Sequence, residues 1–159
     1  MKLSRRDFLK GSLGLAASAV LPTIVYASSD DKGLTMEVYN KLIGLVNKKS
    51  DLIPPEIDRR DKSTVQRVIE VNNKRYTAVA INDSYGKRIE IHQRTKGTAY
   101  NASYVFTGDV NLDGVVDKGT SDKFCKRVIL PEDLEWKTHK HFFAEKHHEA
   151  LKDLSTYLK

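Results

Sequence analysis

Apolar residues recur at helical spacing near both ends of the chain, and the stretch between them alternates in the manner of strands. Leu34, Val38, Leu42 and Leu45 fall at steps of four, four and three, and Ile43 and Val46 widen the stripe. This predicts an amphipathic helix over residues 34–48. Asp30 and Asp31 precede it, where negative charge favours a helix start. Pro54 and Pro55 then remove two consecutive backbone donors, so the helix feeds a loop. Towards the other end Phe143, His147, Ala150, Leu151, Leu154 and Leu158 form a second stripe, opposite Lys146, Glu149, Lys152 and Asp153. That spacing predicts a C-terminal helix able to close one face of a sheet.

Residues 65–71, 75–81, 87–94 and 100–107 are rich in β-branched and aromatic side chains. Asn72-Asn73, residues 82–86 and Lys96-Gly97 separate them at hairpin length. Ile89 and Ile91 alternate with Glu90 and His92, and Tyr100, Ala102, Tyr104 and Phe106 share one parity, so these strands have a buried and a wet face. The expected fold class is α+β: an antiparallel meander of about four strands with an N-terminal and a C-terminal helix. Tyr76, Tyr85, Tyr100 and Tyr104 either line a ligand face of that sheet or fill its core.

With 159 residues, the chain fits one domain and is too small for a barrel enzyme or a dinucleotide fold with a separate substrate domain. No internal repeat or low-complexity segment interrupts it. The N-terminus changes this picture. Ser4-Arg5-Arg6-Asp7-Phe8-Leu9-Lys10 leads into an uncharged stretch over residues 11–27, apolar but moderated by Gly, Ser and one Pro. The arginine pair, the Phe two residues after it, the next Leu and the following Lys resemble a twin-arginine signal peptide. The resemblance implies export in the folded state through the Tat translocase to the periplasm or another extracytoplasmic space. Val25-Tyr26-Ala27 suits a signal peptidase, so residues 1–27 are expected to be removed and 28–159 to form a single exported domain with no stable membrane span. The uncharged stretch is at the lower limit for spanning hydrocarbon, which leaves an N-terminal anchor as the competing reading.

Cleavage removes Lys2, Arg5, Arg6 and Lys10 together with Asp7, leaving 23 basic and 20 acidic side chains, so a net charge of +6 falls to +3. The calculated pI of 9.3 therefore belongs partly to targeting, and no basic recognition helix remains to support a nucleic-acid partner. Cys125 is alone, so no intramolecular disulfide forms; it reads as a small, partly buried hydrophobe.

Residues 109–117 carry the most chemistry. Asp109, Asn111, Asp113 and Asp117 place oxygen side chains at loop positions 1, 3, 5 and 9. Gly114 permits a sharp turn, the carbonyl of Val115 can point inward, and Val116 can anchor the loop in the core. These are the requirements for wrapping a hard cation in oxygens. The spacing resembles an EF-hand calcium loop, and Gly108-Asp109-Val110-Asn111-Leu112-Asp113-Gly114 resembles a dockerin-type repeat. The pattern departs at position 12, where Thr120 replaces the expected carboxylate; Asp122, two residues on, is the candidate substitute. The competing reading is a hairpin with a tight Asp113-Gly114 turn.

His141, Glu145 and His148 stand at i, i+4 and i+7 and share one helix face, a candidate set for zinc or another transition metal; the competing reading is a solvated face. His148-Glu149-Ala150-Leu151-Lys152 lacks the second His of a zinc-protease motif, and no nucleophile elbow, phosphate-cradling loop or paired-Cys cofactor motif occurs. The sequence therefore points to an exported calcium-binding domain with a binding or structural role. A metal-dependent hydrolase or redox accessory subunit built on the histidine helix is the alternative, and an envelope protein partner is left open.

Overall fold

The computed structural model describes residues 29–95 and 103–158. The export signal, the Ala27 cleavage point, the Lys96-Gly97 connection, Tyr100 and Ala102 lie outside them. Helix α1 (Ser29–Val46) is followed by a short 3-10 turn, Ser50–Leu52. Seven strands come next: β1 (Ile57–Asp61), β2 (Thr64–Val71), β3 (Lys74–Asp83), β4 (Gly86–Thr95), β5 (Tyr104–Asp109), β6 (Lys118–Ser121) and β7 (Cys125–Ile129). Helix α2 (Leu134–Tyr157) follows the sheet.

The strands form one antiparallel sheet in sequence order, β1 through β7. The meander and both helices agree with the sequence pattern; the strand count does not, since the sheet has seven strands where about four were expected. The additional strands lack an apolar alternation. In β1 only Ile57 is buried, β6 reads Lys-Gly-Thr-Ser, and β7 buries Ile129 alone. Their pairing is enforced by neighbours already in place, which is how tertiary context overrides a weak propensity. Asn72 and Asn73, with φ of 49° and 62°, make the two-residue turn between β2 and β3.

Register separates the faces of the sheet. Tyr76, Ala78 and Ala80 lie opposite Gln93, Ile91 and Ile89, and this face meets the helices. The main core is formed there by α1, β1–β4 and the C-terminal half of α2, with Tyr39, Leu42, Leu151 and Leu154 almost fully buried. A second, smaller cluster joins Val105, Val116, Ile129, Trp136 and Phe143. There the backbone of β6 passes directly beneath α2: a Cβ at Gly119 would stand 2.6 Å from the Phe143 ring. The other face carries Thr77, Val79, Glu90, His92, Tyr104 and Phe106, and neither helix covers it. On β5 the helix face belongs to Val105, Thr107 and Asp109, so the aromatic parity of Tyr104 and Phe106 marks the opposite side.

Candidate functional site

Strand parity brings Thr107 and Asp109 inward, α1 contributes Tyr39, and α2 contributes His147; all four are at most 3% exposed. Tyr39 Oη lies 2.6 Å from His147 Nε2, and Thr107 Oγ1 lies 2.7 Å from His147 Nδ1. The negative charge of Asp109 acts on the Tyr39 phenol. The backbone amides of Leu112 and Gly114 donate to that carboxylate at 2.7 and 2.9 Å, and that of Asn111 donates at 3.2 Å.

The Asp109 carboxylate thus accepts from three backbone amides of its own loop. Both ring nitrogens of His147 are engaged by hydroxyl groups, Nε2 by Tyr39 and Nδ1 by Thr107. Burial, with His148 nearby, pushes the His147 imidazole down to about 3, so it is neutral. Burial and the charges of Asp109, Asp113 and Asp117 push the Tyr39 phenol up. Burial also raises Asp109, opposed by its amide donors. Buried in this way, the Tyr39–His147–Thr107 bonds tie α1, α2 and β5 together.

The 109–117 segment is the connection between β5 and β6. Leu112 and Gly114 adopt left-handed backbone, with φ of 59° and 87°, and coil the chain around the Asp109 carboxylate. Leu112 packs against the main core, whereas Val116 is buried in the second cluster. Asp113 accepts from the Val115 amide at 2.7 Å and the Asn111 side-chain amide at 3.0 Å. Asp117 accepts from the Val110 amide at 2.9 Å, and its own amide donates to Gly108.

Asp109, Asn111, Asp113, Val115 and Asp117 thus share one loop, while Asp122 does not join them. It is bonded to Tyr104, at the opposite end of β5, roughly 17 Å away at about 3.3 Å per residue. Thr120 pairs with Phe106 and donates to the Cys125 carbonyl at 2.7 Å, so it too is remote from the loop. Cys125 is partly buried.

His141 and Glu145 are exposed on α2, and His148 is partly buried further along the same helix. Among the described residues, no group of three or more His, Cys, Asp or Glu side chains is arranged to hold a metal ion. Tyr76 is buried in the main core and Tyr85 is 92% exposed at the β3–β4 turn, leaving Tyr104 on the uncovered face of the sheet.

The relay was hidden from the sequence because Tyr39 and Thr107 stand 108 and 40 positions from His147. A usable signal was the parity of Thr107 and Asp109 with Val105, opposite to the aromatic pair. The TAT (twin-arginine translocation) pathway signal sequence family matches residues 2–22. The chain therefore carries a signal for export to the periplasm or another extracytoplasmic space. No curated protein and no solved structure matches the chain. Among the described residues no helix is long and apolar enough to cross a membrane.

Proposed function

We propose that this protein is an exported binding domain whose 109–117 loop takes up calcium as a brace between the two halves of its core. The observation that carries this reading is the completely buried Asp109 carboxylate, which has no cationic partner among the described residues. Among the described residues none of Asp109, Asp113 or Asp117 forms an ion pair. A buried anion balanced only by dipoles gains strongly from a nearby cation. Asp109, Asn111, Asp113, Asp117 and the Val115 carbonyl are the oxygen donors available. Asp113 and Asp117 would turn inward from their bonds within the loop.

Metal that binds only the folded state stabilises it by about 2.7 kcal/mol at a hundredfold excess over the dissociation constant. Calcium added to EDTA-treated protein should therefore raise the melting temperature, magnesium and zinc should do so less, and Asp113→Ala should abolish the response. Equal shifts in parent and variant would refute the calcium brace. Melting unaffected by calcium would leave the loop as a hairpin held by its own hydrogen bonds. A response to zinc in place of calcium would direct attention to His141, Glu145 and His148.

A further inference from the structure

The uncovered face of the sheet holds a cavity of about 370 Å³ that is separate from the loop. Arg60, Arg75 and Arg94 surround it, His92 and Tyr104 form an aromatic wall, and Val79 gives it an apolar floor. Its lining contains no carboxylate. Among the described residues no ion pair joins an acidic side chain to any of these three arginines. Glu90, on the same face as His92, is engaged by Lys118 at 2.7 Å; Glu70, the direct cross-strand partner of Arg75 on β2, is not part of the lining.

Three features show that this charge is built into the fold. Arg75 and Arg94 are direct cross-strand partners on β3 and β4, where like charges repel and cost stability. Arg60, on β1, is among the lining residues although β1 and β4 are three strands apart in the sheet. The Arg94 guanidinium lies 5.5 Å from the Tyr104 ring centroid, and Tyr104 Oη is held by His92 Nδ1 at 2.8 Å. The fork of Arg94 is thereby oriented before any ligand arrives.

We propose that this face binds a small organic polyanion, a molecule with two or more carboxylate or phosphate groups. Its charges would bridge Arg75 and Arg94 and reach Arg60, and its body would rest on Val79 beside Tyr104. Guanidinium groups bind both headgroups through the same paired N–H bonds, and the ligand would relieve the repulsion between the opposed arginines.

The test is calorimetric titration of the exported, purified protein in calcium-free buffer, at constant ionic strength, with citrate, pyrophosphate and a neutral polyol of similar size. Citrate or pyrophosphate should bind, and the polyol should not; the preferred anion identifies the headgroup. Arg75→Gln and Arg94→Gln should each weaken binding at least tenfold, while Lys62→Gln, outside the cavity, should bind as the parent does. Both arginines are exposed, so the variants should fold. Binding of neither anion by the parent, or equal binding by parent and arginine variants, would overturn the proposal. Arg60→Gln provides an independent second reading of the same loss.

Discussion

His147 is the residue whose environment most constrains the behaviour of the protein in acid. In the unfolded chain the imidazole takes a proton near pH 6.5, whereas burial delays this in the folded state to about pH 3. Between those values the unfolded state binds more protons, so stability falls as the pH drops through the window and is fully retained above it. The contribution lost between pH 6.5 and 4 is roughly 3 kcal/mol, at about 1.4 kcal/mol per pH unit. Asp109 works in the opposite sense: its raised value makes the folded state protonate first, which favours folding as the pH falls towards the carboxylate range. Urea unfolding at stepped pH should show a smaller decline in His147→Gln than in the parent, and parallel profiles would show that His147 is not the sensor. Tyr39→Phe keeps the ring and deletes the hydroxyl that bridges α1 to His147 on α2. His147 is left one bond short in a dry site, an expected loss of about 1–3 kcal/mol at pH 7. A change below about 0.5 kcal/mol would mean that the bridge contributes little.

At the level of elements, what was legible depended on how each one gains stability. Both helices and β2, β3 and β4 carry stripes or alternations that announce a buried face, as Ile89 and Ile91 do against Glu90 and His92. Strands β1, β6 and β7 carry almost none, because they are held by pairing and by close backbone approach. Gly119 shows the difference: its value lies in the missing side chain, which lets the Phe143 ring rest on β6. A methyl group there meets three ring atoms at 2.6–2.9 Å. Gly119→Ala should therefore cost about 1–3 kcal/mol by overpacking, measured by urea unfolding. A variant as stable as the parent would show that α2 shifts freely over β6. The loop was legible as a set of oxygen-bearing residues at regular spacing. Its closing partner was not, since Asp122 is near in sequence but is carried down the sheet by the β5–β6 register.

Across the whole molecule the two core clusters are unequal, and α2 runs through both. The larger gathers both helices and β1–β4; the smaller is confined to β5–β7, their β5–β6 connection and the N-terminal half of α2. Hydrogen exchange should find the amides of β3 and β4 the slowest, with β6 and β7 opening at lower free energy. Uniform protection across the sheet would show that the clusters unfold as one. The uncovered face was only half visible in the sequence: alternation showed that the strands have a second side, but the meeting of Arg60, Arg75 and Arg94 required the order and register of the strands.

The placement of the helices also bears on timing. α1 precedes all seven strands and α2 follows them, yet the two helices pack on the same side of the sheet and against each other. Strands that pair with their sequence neighbours can assemble while the chain is being synthesised, but the apolar face beside α1 stays open until residues 134–158 have left the ribosome. The export signal is thus made first and the cover last. For a route that carries folded cargo, the interval between these events is when a holding chaperone would have an exposed surface to grip.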